Sequence, residues 1–138
     1  MNVKEYLNQA RYIDRQIDAK LEHQEKLNSI IYKATSTISD MPGSPTRDIA
    51  KRERAIAKVI DLEKEIDDEI DRLVDKKREI KSLINKIENS EYALLLELRY
   101  VNISTWEQIE DILGISLRSV YRMHGDALIE ADYYFKKL

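Results

Sequence analysis

No cysteine occurs among the 138 residues, so disulfides and thiolate metal ligation are both excluded. Two histidines, His23 and His124, are too few for a histidine-based zinc site. Glycine and proline, the usual helix breakers, number only three and two, and aromatic residues make up 7 %. No apolar run approaches the ~18–20 residues that a membrane span needs. The opening "MNVKEYLNQA" carries no apolar run behind a basic segment, as a leader would. These absences predict a cytoplasmic protein with no membrane partner, no metal and no cofactor.

Charge is abundant instead. Charged residues make up 36 % of the chain, and its formal net charge is −3. With so few breakers, this is the composition of long, solvent-laced helices, and no strands are expected. The length fits one domain, or a small domain with an appendage, and is too short for a large enzyme.

From about Val3 to Ile38, apolar residues recur at alternating steps of three and four. One row reads Val3, Ala10, Ile17, Gln24, Ile31, Ile38, and the other Tyr6, Ile13, Lys20, Leu27, Ala34. Such a seven-residue repeat predicts a long helix with one apolar seam. "STISDMPGSPTRD" interrupts it with Pro42, Gly43 and Pro45, so a loop is expected at about 39–47, with Asp48 or Thr46 capping the next helix. The repeat returns to about Glu88 through Ile49, Ile56, Glu63, Ile70, Lys77, Ile84 and Arg52, Val59, Ile66, Leu73, Ile80, Ile87. At ~1.5 Å per residue this helix is roughly 60 Å long and needs a partner. The nearest is the first helix, folded back into an antiparallel hairpin. A loop centred near residue 42 sets Lys20 and Gln24 within a turn of Glu63, predicting a Lys20–Glu63 contact inside the seam. The alternating charges outside the stripes read as a solvated face laced with i,i+4 pairs. One local excess remains, Arg47, Lys51, Arg52, Arg54 and Lys58 against Asp48 and Glu53, which suits solvent, phosphates or an acidic protein.

The pattern changes after "IENSEY". Ser90 is positioned to cap a helix through "YALLLELRYV", in which Leu94, Leu95, Leu98 and Val101 predict burial, and Asn102 ends it. Ser104 or Thr105 starts a short helix, "WEQIEDIL", that stops at Gly114, and Ser116 caps a last helix from about Leu117 to Phe135. Helix, tight glycine turn and second helix make a unit that lays its second member in the major groove of DNA. Ile109, Leu113, Ile115, Val120 and Met123 are placed to pack the two helices together. Leu117, Arg118, Tyr121 and Arg122 are placed outward as candidate readers. Arginine's planar fork suits guanine O6 and N7. Tyr121 suits either a thymine methyl or phosphate, or packing on the preceding helix. His124 is either a phosphate contact or an ordinary surface histidine. Trp106 reads as an anchor holding the short helix on "LLLELRY", and Gly125 suggests close helix approach or a bend. The aromatic end "DYYFKKL" suits either a protein contact or docking on the core.

The stretch "LLLELRYVNISTWEQIEDILGISLRSVYRMHGDAL" resembles the fourth region of the bacterial sigma-70 family, which recognises the −35 promoter element. It resembles more closely small proteins of Gram-positive phages and prophages, of the ArpU and RinA type, in which "LRY", a Trp-Glu pair, "LG" and "S-x-x-x-V-Y-R-x-H" recur behind a helical arm with a "MPGSP"-like loop. The resemblance implies control of phage or prophage transcription in a bacterial host cell. It implies base reading at Leu117, Arg118, Tyr121 and Arg122, with Ser116 as cap and phosphate contact. Sigma proteins carry basic or polar residues where Leu117 and Tyr121 stand, and alanine or glycine where Glu110 stands.

From Ser90 onward five basic residues face eight acidic ones, so non-specific affinity for DNA should be weak in this segment alone. A homodimer, or docking on RNA polymerase, would raise the effective concentration. The expectation is therefore an all-α chain with a helical hairpin arm at 1–89 and a helix-turn-helix at 90–138. It binds double-stranded DNA as a transcription regulator, an activator or polymerase accessory, and is not an enzyme. The alternative is a non-enzymatic helical adaptor that sequesters or bridges a protein partner.

Overall fold

The computed structural model describes residues 1–39 and 46–138, and side chains at 1–36 and 47–138. Five helices follow one another: α1 (Val3–Ser39), α2 (Thr46–Asn85), α3 (Ser90–Leu96), α4 (Trp106–Leu113) and α5 (Leu117–Phe135). No strand occurs among the described residues, so the fold is all-α. The expected loop residues Pro42, Gly43 and Pro45, with the Ile38 and Thr46 side chains, lie outside what is described. Asp48 sits in the first turn of α2, where a carboxylate suits the helix dipole. No helix is long and apolar enough to cross a membrane among the described residues.

Two compact units divide the chain, one formed by Gln16–Leu73 and the other by Met1–Arg15 with Val74–Leu138. In the first, α1 and α2 run antiparallel, with Leu27 and Ile66 buried from the two stripes. The seam's register differs from the one expected. Lys20 Nζ donates to Glu69 Oε2 at 2.6 Å and not to Glu63, while Gln24 Nε2 reaches Asp67 Oδ1 at 2.6 Å and the Glu63 carbonyl at 3.3 Å. The six residues from Glu63 to Glu69 correspond to a slide of about 9 Å along the axis. The side chains of Lys20 and Glu69 retain 31 % and 41 % exposure, so the pair stays hydrated at the rim and avoids the desolvation that a charge inside the seam would incur. A hydrogen bond from Lys20, then its charge, lowers the Glu69 carboxyl below its ordinary pKa.

The second unit joins the start of α1 and the end of α2 to the terminal helices. Val3, Tyr6, Leu7 and Ala10 of α1 are buried in it, as are Ile80, Leu83, Ile84 and Ile87 of α2. Tyr6 lies 5.1 Å from Phe135, ring to ring, which docks the aromatic C-terminus on the core. Lys77 Nζ reaches Asp14 Oδ1 at 2.5 Å. The first turns of α1 thus belong with the terminal helices, because their apolar side chains are buried there.

Asn89, not Ser90, caps α3, its Oδ1 accepting from the amides of Glu91 and Tyr92 at 3.0 and 3.2 Å. Three consecutive leucines at ~100° each span more circumference than one buried stripe can take. Leu95 and Leu96 are fully buried, and Leu94, expected inside, is 43 % exposed. After Leu96 the helix widens into one π turn, Glu97–Val101, closed by the Asn102 amide on the Glu97 carbonyl at 2.9 Å. Ile103 follows at φ +58°, a strained conformation for a β-branched residue. The Ser104 amide bonds the Leu98 carbonyl at 2.8 Å just beyond it.

Candidate nucleic-acid interface

Local chemistry accounts for both ends of the short helix. Thr105 Oγ1 accepts from the Gln108 amide at 3.1 Å, and Gln108 Oε1 accepts from the Thr105 amide at 2.8 Å, a reciprocal capping box. At the other end Gly114 adopts φ +66°, and its amide bonds the Glu110 carbonyl at 2.9 Å. Ser116 then starts α5, its Oγ accepting from the Ser119 amide at 3.2 Å. Ile109 and Val120 are fully buried, and Leu113, Ile115 and Met123 are half-buried. α4 and α5 therefore form two capped helices joined by a left-handed glycine turn.

The first turns of α5 carry the candidate readers. Arg118 and Arg122, one turn apart, are exposed, and neither has a carboxylate within ion-pair distance among the described residues. Leu117 is half-buried, and Ser116 is exposed with its hydroxyl also donating to Ser119 Oγ at 3.0 Å. Tyr121 is 49 % exposed while its ring meets Trp106 edge-on at 5.2 Å. Its ring thus packs on the preceding helix while about half of the side chain stays exposed. Glu110 is half-buried at its place in α4.

Trp106 anchors α4 to the helix before it. The Arg99 guanidinium lies 4.1 Å over its ring, and Arg99 Nη1 also donates to the Ser104 carbonyl at 3.2 Å. His124 meets the same ring edge-on at 4.9 Å.

His124 departs from both expectations for it. Its side chain is buried, not at the surface, with Nε2 2.7 Å from the Tyr100 hydroxyl. Burial, followed by the positive charges of Lys4 and Arg99, lowers its pKa to about 4. It is neutral near pH 7 and reaches no phosphate. Its spacing from Val120, Ala127 and Ala131, all fully buried, places it on the inward stripe of α5. That spacing is the signal that could have found it. Gly125, in turn, has no neighbour within 4 Å of the position a Cβ would take, so it does not mark a close helix approach.

Arg99 and Tyr100, which the sequence analysis met only within "LRY", thus brace α4 and α5 through Trp106 and His124. Among the described residues no group of three His, Asp or Glu side chains is placed to hold a metal ion.

Residues 46–132, from the start of α2 to near the end of α5, match the family described as "Protein of unknown function (DUF1492)". The chain belongs to that family. No curated protein and no solved structure matches it. The family match takes in α4, the Gly114 turn and the reader positions together.

Proposed function

We propose that this member of the family is a sequence-specific DNA-binding regulator of phage or prophage transcription, acting as an activator or RNA polymerase accessory. The observation that carries the reading is the pair Arg118 and Arg122, exposed and without carboxylate partners among the described residues, on the first turns of a helix set by a left-handed turn. Guanidinium groups one helical turn apart can address guanine edges on one face of a major groove. The half-exposed Tyr121 between them offers an apolar surface to a thymine methyl group. Ser116 stands at the helix start for a phosphate. The resemblance to sigma region 4 and to phage regulators of the ArpU and RinA type points the same way. The acidic balance of residues 90–138 implies help from a second copy or from polymerase.

The test is selection of bound fragments from a genomic pool containing prophage DNA, with and without RNA polymerase. Wild type should enrich a discrete site that Arg118→Ala/Arg122→Ala loses. Absence of enrichment in both conditions at low salt would sink the reading.

A second reading has its own support. In the unit formed by Gln16–Leu73, Leu21, Ile30 and Tyr32 are 49, 52 and 75 % exposed, so the helix pair leaves apolar surface uncovered. An adaptor that bridges or sequesters a protein partner would use that surface and would be indifferent to the α5 arginines.

A further inference from the structure

Within the unit Gln16–Leu73, the exposed side of α2 carries a second seven-residue repeat, made of charge. Lys51, Arg54, Lys58, Asp61, Glu65 and Asp68 follow one another at steps of three and four, which keeps them on one stripe of the helix, and all six are exposed. The first three are positive and the last three negative. None of the six has an ion-pair partner among the described residues. Like charges one turn apart repel along a helix, so this order is unfavourable for a face that meets only water. Later in the same helix the signs are interleaved instead, and Asp75–Arg78 and Lys76–Glu79 close as pairs three residues apart.

We infer that this face of α2 docks on the same face of a second copy of the chain, antiparallel, about a two-fold axis level with Val59 and Ile60. In that register Lys51 meets Asp68 of the second copy, Arg54 meets its Glu65 and Lys58 meets its Asp61, each pair occurring twice by symmetry. Parallel docking would set like charge on like. Arg72, one turn beyond Asp68, would face Arg47, so the complementary stretch ends at Asp68 and is about 26 Å long. The inference goes beyond the DNA-binding proposal and does not rest on it.

The centre of the stretch supplies apolar contact. Leu62, 37 % exposed, flanks the charged stripe, as do the exposed Ala55 and Ala57, whose small side chains let two helices come close. In the antiparallel register Leu62 of the second copy falls beside Ala55. Ala55 lines the edge of an apolar groove of about 90 Å³, together with Ile30 and Ala34 of α1 and Ile56 and Val59 of α2. Leu62 thus gives the groove an occupant, and the charges on either side fix its direction.

The experiment is sedimentation velocity of the full chain across a series of protein and salt concentrations. Wild type should dimerise at low salt and dissociate as salt screens the pairs. Lys51→Glu/Arg54→Glu/Lys58→Glu makes the stripe wholly acidic, and Asp61→Lys/Glu65→Lys/Asp68→Lys makes it wholly basic. Each variant alone should be monomeric, and an equimolar mixture of the two should dimerise again. If circular dichroism shows either variant losing helix, Lys51→Gln/Arg54→Gln/Lys58→Gln carries the test and should weaken self-association by about tenfold or more. A wild-type chain that is monomeric at low salt overturns the pairing. So does a dimer that both charge-reversed variants retain, since it would lie on another face. A mixture that stays monomeric overturns the antiparallel register. DNA selection with the Arg118 and Arg122 variants is a separate readout, so failure here leaves the α5 reading intact.

Discussion

The Tyr100 hydroxyl and His124 Nε2 lie 2.7 Å apart in the buried interior of the terminal helices, where they satisfy each other's hydrogen-bonding needs. This contact holds α5 against the π turn that follows α3, and so supports the face from which Arg118 and Arg122 project. It also makes the stability of the unit depend on pH.

A histidine that titrates at about 4 when folded and near 6.5 when unfolded binds its proton more readily in the unfolded chain. Its contribution is therefore complete above pH 6.5, declines as the pH falls towards 4, and does not change further below that. The shift amounts to roughly 3 kcal/mol. Thermal melts across this window should show wild type losing stability more steeply than His124→Gln. Parallel curves for the two proteins would refute the buried, neutral imidazole. The single tryptophan, 4.9 Å from the ring, provides a fluorescence signal at the same place.

The two described glycines should respond in opposite directions to alanine. Gly114 has φ +66° and open space where a Cβ would go, so Gly114→Ala should cost about 1–2 kcal/mol through the backbone alone. Gly125 has ordinary helical geometry and equally open space, so Gly125→Ala should stabilise the protein by about 0.5–1 kcal/mol. Denaturant titrations of the two variants would measure both signs.

Adjacent leucines in α3 should differ sharply. Leu95 is fully buried, and Leu95→Ala should cost about 2–5 kcal/mol by leaving a cavity. Leu94 is 43 % exposed, and Leu94→Ala should cost less than about 1 kcal/mol. Equal losses in chemical denaturation would contradict the orientation given to this helix.

The hairpin register can be tested by charge reversal. Lys20→Glu places a carboxylate against Glu69 and should lower the melting temperature. Adding Glu69→Lys should recover most of the loss at low salt, whereas adding Glu63→Lys should recover little. Rescue by position 63 in preference to 69 would restore the register expected from a loop centred near residue 42.

Much of the terminal region was legible in the amino-acid order because its determinants are local. Thr105 and Gln108 form a capping box three residues apart, Gly114 takes the left-handed stop, and Ser116 caps the helix that begins beside it. Each depends on bonds spanning three or four residues, which a sequence displays directly. The same holds for the α1 and α2 stripes, whose spacing alone points to helices with one apolar side. Ser90 was a near miss, since Asn89 beside it carries an equally good acceptor and wins by position.

What the sequence by itself determined is therefore the all-helical class, the helix limits in the last third of the chain, and the outward placement of Arg118 and Arg122. Only the tertiary structure decided that Lys20 meets Glu69, that His124 is buried against Tyr100, and that the first turns of α1 share a compact unit with the terminal helices. A seven-residue repeat allows one helix to slide along another with little change in its apolar match, so the polar partners settle only when both helices are in place. A histidine between apolar neighbours is equally ambiguous until a hydroxyl from a helix 24 residues away arrives to satisfy it.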